Sequence, residues 1–250
     1  MKPVRYGTPR IHVESPLAAG AAITLPEAQA HHAAHVLRLR EGEELVLFEG
    51  TGGEWRGRIA AIGRREVRVV LDRHEPVERE TPLAMTLVQA LSAAERMDYT
   101  VQKAVELGAR AIQTVVAQKS VVRLSGERAV ARAAHWQRIA VSACEQSGRN
   151  RIPAVAAPVP FTTWLRLPRP EALKLLASPG ARDSLRDALA AKPASLVIAV
   201  GPEAGFADDE EAAMDAAGFL RVHLGPRILR TETVAPAMLA AINALAGDWA

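Results

Sequence analysis

Two short loops carry the residue types from which a ligand site can be built. Gly201, Pro202, Glu203, Ala204 and Gly205 follow an apolar run that ends at Val200, and Leu224, Gly225 and Pro226 close a second apolar run. Glycine lacks a Cβ, so backbone that carries it can approach a ligand closely. Arg230, Thr231, Glu232 and Thr233 come just after the second loop. Two runs that each end in a Gly-Pro loop point to one ligand site, because open α/β sheets bind ligands beyond the carboxyl ends of their strands. The alternative is that both loops are plain turns closing βα units.

The surrounding pattern supplies elements to hold such loops. Residues 197–200 are mostly β-branched and uninterrupted by polar groups, as in a strand buried on both faces of a parallel sheet. An acidic first turn suits a helix over 208–215. A strand over 219–224 and a final helix over 236–245, with Pro236 at its start, complete the C-terminal stretch. Upstream, strands are predicted over 83–91, 111–117 and 172–177, and helices over 97–107, 129–147 and 184–191. The first of these helices has apolar positions at Met97, Val101, Ala104 and Val105 and a stop at Gly108. Residues 152–170 are proline-rich and less regular. Five strands alternating with helices define a doubly wound α/β domain over 83–250. Residues 1–74 read as a small β-barrel with strands over 11–13, 45–48, 54–62 and 66–71 and a helix over 26–39. The charged, proline-bracketed segment 75–82 reads as a linker.

Composition limits the function classes. A chain of 250 residues accommodates one large or two modest domains. Its one cysteine, Cys144, excludes a disulfide framework and a cysteine zinc site, and it sits among small residues in a helix, as an inert buried thiol does. Neither a signal-peptide core nor a membrane-length apolar run is present, so a cytoplasmic location without membrane attachment is expected. No G-x-G-x-x-G, P-loop or G-x-S-x-G pattern occurs, which argues against a dinucleotide enzyme, an NTPase or a serine hydrolase. His31, His32 and His35 lack a carboxylate at helical zinc spacing, so no metal is expected. Net charge is +3 but uneven. Residues 96–151 carry ten Lys/Arg against four Asp/Glu, and 197–250 carry three against eight. A basic middle beside an acidic ligand-binding end suits a polyanionic partner and a small-molecule site in one protein. Arg5, Arg10, Arg38, Arg40, Arg56 and Arg58 give the N-terminal module a possible RNA-binding role.

Several stretches together resemble one family. They are the run from Ala143 to Pro153 reading ACEQSGRNRIP, the Gly201-Pro202-Glu203 loop, and LGPRILRTET from Leu224 to Thr233. Gln102-Lys103-Ala104 with Glu106-Leu107-Gly108, and VLRLREG ending at Gly42, add to them. The chain is similar, nearly end to end, to the ribosomal RNA small subunit methyltransferase E family. That resemblance implies a SPOUT-class parallel-sheet domain with a trefoil knot, preceded by a PUA-like barrel. It implies S-adenosyl-L-methionine as methyl donor, N3 of a uridine in 16S rRNA as acceptor, and a homodimer acting on the small ribosomal subunit. The cofactor loops would comprise Ala177 and Ser178; Val200, Gly201, Pro202, Glu203 and Gly205; and Leu224, Gly225, Pro226, Ile228, Leu229 and Thr233. At Ala204 the chain departs from the family's usual glycine. Arg230 would stabilise charge on the uracil oxygens, and Glu232, or alternatively Glu203, would accept the N3 proton. Arg230 and Glu232 could instead pair with each other. Arg10, Arg38, Arg40, Arg123, Arg149 and Arg151 would meet RNA phosphates.

Overall fold

In the computed structural model, which describes residues 7–168 and 172–249, the chain forms two compact units. Arg5 lies outside the described residues. The first unit extends through Glu80 and takes in Val141–Ile152; the second comprises Thr81–Ala140 and the chain from Pro153 onward.

Five strands and one short helix make the first unit: β1 (Arg10–His12), β2 (Ala22–Thr24), α1 (Glu27–His31), β3 (Glu44–Phe48), β4 (Glu54–Ile62) and β5 (Val67–Glu75). Their order is β1-β3-β4-β5-β2, with β1 parallel to β3 and the other pairs antiparallel. Period-two alternation in β5 turns Val67, Val69 and Leu71 inward, where they pack with Ile11, Leu45, Leu47 and Ile59. β2 is not among the expected strands. The helix expected over 26–39 is only five residues long. It widens into a π turn at His32–Val36, where Leu37 N–H reaches His32 O, and ends at Arg38 with φ +54°.

The second unit contains β6 (Ala84–Ala90), α2 (Ala94–Glu106), β7 (Ala111–Val116) and α3 (Gly126–Ser147), whose end from Val141 onward belongs to the first unit. Then come β8 (Ala154–Pro160), α4 (Phe161–Leu165), β9 (Leu173–Ala177), β10 (Asp183–Ser184), α5 (Leu185–Ala188), β11 (Ser195–Val200), α6 (Asp208–Ala216), β12 (Leu220–His223) and α7 (Thr231–Ala246). All seven strands pair in parallel, in the order β10-β12-β9-β11-β6-β7-β8. Buried Leu87, Ile198, Ala199 and Leu176 form its centre, consistent with covered faces on both sides.

Two differences from the sequence reading have physical causes. The proline-rich stretch expected to be irregular forms β8 and α4. Proline is tolerated there because β8 is an edge strand paired only with β7, and its register shifts near Pro158. The last helix starts at Thr231, not at Pro236, which lies inside it. Thr233 and Val234 N–H both donate to Arg230 O, so the first turn forms upstream of the proline. Pro236 lacks an N–H and therefore leaves the Glu232 carbonyl without its helical partner.

Candidate active site

Strand order creates the site. β12, β9 and β11 are consecutive in the sheet and parallel, so the loops leaving their carboxyl ends meet on one edge. They enclose a cavity of about 250 Å³. Among the residues named from sequence, Ala177, Val200, Gly201, Pro202, Glu203, Gly205, Ile228, Leu229, Arg230 and Glu232 line it. A smaller recess of about 40 Å³ shares Ala177 and Leu229 and adds Ser178, Leu224 and Gly225. Pro226 and Thr233 line neither. Thr231, within the expected loop, lines the larger cavity too, and nothing in the sequence pointed to Arg96, Pro179, Phe206, Glu211 and Val234. Arg96 stands more than a hundred residues upstream, on a helix whose sequence signals only its apolar face.

The glycines in these loops meet backbone requirements. A Cβ on Gly201 would stand 3.1 Å from both Gly205 Cα and Phe206 N, so any side chain there would press on the loop's own backbone and shift it by a few tenths of an ångström. Gly225 has φ +100° with open space beside it.

Charge in the cavity is divided unevenly. Arg96 Nη1 donates to Glu203 Oε1 at 2.7 Å, and Arg96 Nε lies 3.6 Å from Glu232 Oε2. Glu203 Oε1 also accepts from Ala93 N–H at 3.1 Å. Burial works against ionisation of Glu203, but backbone N–H donors and Arg96 outweigh it and hold the carboxyl below its usual range. Glu232 Oε2 is buried and has no hydrogen-bond partner among the described residues. Arg230 caps α7, is exposed, and makes no ion pair among the described residues. The expected alternative, an Arg230–Glu232 pair, is not what forms: Glu232 faces Arg96. Between them, Thr231 turns inward and donates to Gly201 O at 2.6 Å.

The arginines expected at RNA separate into two groups. Arg10 and Arg149 are corrections. Arg10 is buried, with Nη1 on Glu54 Oε2 at 2.7 Å and Nη2 on Asn150 Oδ1 at 2.6 Å. Arg149 is buried against Glu80, bidentate at 2.9 and 2.5 Å. Both brace the first unit, since guanidinium groups committed to buried carboxylates cannot also reach phosphate. Arg38, Arg40 and Arg123 are exposed. Arg151 is exposed too, although it touches Glu78 at 3.0 Å. Cys144 is fully buried, and burial pushes its thiol up to about 12, which removes it from nucleophilic chemistry. No cluster of three His, Cys, Asp or Glu able to hold a metal occurs among the described residues.

Residues 79–243 match the RNA methyltransferase domain family, and residues 25–72 match the RNA methyltransferase PUA domain. A ribosomal RNA small subunit methyltransferase E from Mycobacterium bovis is 36% identical over 92% of this chain and 89% of its own length. One from Synechocystis is 34% identical over 90% and 74%. This chain belongs to the ribosomal RNA small subunit methyltransferase E family. The crystal structure of a family member from Neisseria gonorrhoeae, bound to S-adenosyl methionine, superposes with a TM-score of 0.91 at 38% identity. The match covers 97% of this chain and all of that one. A Legionella pneumophila methyltransferase solved with bound SAM matches at 35% identity and the same TM-score over 96% of this chain. The family thus accounts for both units of the fold, the PUA-like first and the parallel-sheet second.

Proposed function

We propose that this protein methylates N3 of a uridine in 16S ribosomal RNA, using S-adenosyl-L-methionine. The observation that carries the reading is the cavity at the ends of β9, β11 and β12, with an unpaired guanidinium and a carboxylate on one wall. The residues fit the donor: glycine backbone without side chains for its polar edges, and Glu203, Glu211 and Glu232 to suit a sulfonium cation. When bound, S-adenosylmethionine supplies a methyl group on positive sulfur, and the S–CH₃ electron pair leaves with a neutral thioether.

The chain's own residues then address the acceptor. Uracil N3 carries a proton and attacks poorly until it is lost. Glu232, whose Oε2 faces Arg96 at 3.6 Å but takes no hydrogen bond among the described residues, accepts that proton; Glu203, committed to Arg96 and backbone N–H groups, is the weaker base. Arg230, without an ion pair among the described residues, stabilises the negative charge that deprotonation spreads onto the ring oxygens. Fixing acceptor and donor in line removes a further share of the barrier, up to roughly 7–11 kcal/mol in favourable systems. The uridine is drawn out of its stack to enter the cavity. Arg38, Arg40, Arg123 and Arg151 meet flanking phosphates.

The same reading divides the chain at 75–82 into an RNA-binding 1–74 and a catalytic 83–250 that adds Arg123 and Arg151 to the RNA grip, and includes a homodimer in the cytoplasm. It also includes a trefoil knot, which the position of β12 between the earlier strands β9 and β10 supports. The test is transfer of labelled methyl from S-adenosylmethionine to small-subunit rRNA, with the product nucleoside identified by mass spectrometry. N3-methyluridine is expected. Methylation at another atom would leave the donor site standing and overturn the acceptor.

A further inference from the structure

Gln89, at the inner end of β6, is 1% exposed and plays no part in the chemistry above. Its amide nitrogen lies 3.0 Å from Ala90 O and 3.2 Å from Thr231 Oγ1. Ala90 O can only accept, which fixes which end of the amide carries the N–H groups. Both N–H groups are then in use, one of them on the Thr231 hydroxyl. That hydroxyl has a single proton, and 2.6 Å away on its other side is Gly201 O, again only an acceptor. The direction of the chain is therefore forced: Gln89 donates to Thr231, and Thr231 donates to Gly201.

We propose that Gln89 and Thr231 form a one-way hydrogen-bond latch that positions the Gly201 loop against the start of α7 and so sets the shape of the donor pocket. Thr231 is 6% exposed and stands between Arg230 and Glu232, which both line the cavity. Pinning the middle residue of three fixes where its neighbours project. Gly201 lines the same cavity, and its loop is a tight one, closed by Gly205 N–H on Pro202 O at 2.9 Å. Gln89 is a positioning residue: it does not line the cavity itself and acts through Thr231, which does. A buried hydroxyl with no forced direction could rotate away from Gly201, and Gln89 prevents that. The inference rests on the donor reading, but it concerns the latch alone.

The experiment is a double-mutant cycle read by S-adenosylhomocysteine calorimetry and steady-state methyl transfer. Thr231→Val keeps shape and removes the hydroxyl; Thr231→Ser keeps the hydroxyl; Gln89→Leu removes the donor behind it. Thr231→Val should weaken S-adenosylhomocysteine binding about tenfold, the effect of one hydrogen bond to a buried carbonyl. It should also lower kcat, and Thr231→Ser should restore most of both. Gln89→Leu should show a smaller loss, and adding it to Thr231→Val should cost nothing more, because the two act as one unit. Normal binding by Thr231→Val, or fully additive losses in the double variant, would overturn the latch while the unaltered protein still binds the ligand. Failure of the unaltered protein to bind it would overturn the donor reading and the latch together.

Discussion

Arg230 and Glu232 are two residues apart, yet the structure gives them different electrostatic company. Arg230 is exposed and unpaired among the described residues, whereas Glu232 faces Arg96 with one oxygen buried and unbonded. A guanidinium with no structural partner can be removed at little cost to folding. Arg230→Ala should therefore lower methyl transfer by about 100–1,000-fold, the usual range for losing one preorganised charge-stabilising donor. Its melting temperature should stay close to that of the parent, and turnover within a fewfold of normal would exclude the role. Glu232→Gln should lower turnover by a comparable factor of about 100–10,000 and should keep S-adenosylhomocysteine binding, measured by calorimetry. At this scale the sequence is half legible. It shows Arg10, Arg149, Arg38 and Arg40 as equal positive charges. Only the fold shows that the first two are buried against Glu54 and Glu80 and the last two face solvent.

The elements were more legible than the residues where apolar runs were long. β6, β7, β9 and β11 stand within two residues of their predicted bounds, because strands buried on both faces read as mostly apolar runs. β8 and the first turn of α7 were hidden, since proline signals a break in both places and tertiary pairing overrides it. Also hidden was the use of α2. It reads as a helix with one apolar face, and its polar Arg96 ties it to the Gly201 loop through Glu203 and to α7 through Glu232. Arg96→Leu cuts both ties. Glu203 keeps its backbone N–H donors, so its carboxyl should rise only part of the way back to the ordinary range; carbon NMR of labelled glutamate reads this directly. Donor binding should weaken as the Gly201 loop loses its anchor. A Glu203 titration identical to that of the parent protein would show that Arg96 does not hold it.

At the scale of the whole molecule, the chain does not build its units one after the other. It leaves the first at Glu80, returns for Val141–Ile152, and leaves again. The return matters because Asn150 completes a buried network around Glu54. Glu54, fully buried, accepts from Arg10 and Arg79 at 2.7 and 2.8 Å, from Arg56 at 3.1 Å and from Asn150 at 3.3 Å. Burial alone would raise its pKa; hydrogen bonds from Arg79 and Arg10 reverse that and take it from 4.5 to about 2. A carboxyl depressed on folding contributes stability that is complete above its unfolded value and is lost as pH falls toward its folded value. The window here runs from about 4.5 down to about 2. Glu54→Gln leaves the Arg10 and Arg79 guanidinium groups without their anion, while Arg56 keeps Glu75; removing one partner of a buried pair costs about 3–5 kcal/mol. Amide hydrogen exchange in β3 and β4 measures that difference between the variant and the parent protein. It should be constant from neutral pH to about 4.5 and shrink as pH drops toward 2, where the parent's own Glu54 becomes protonated and the two proteins carry the same charge. A gap that stays constant through the acid range would mean that the ionised carboxylate is not what holds the network together.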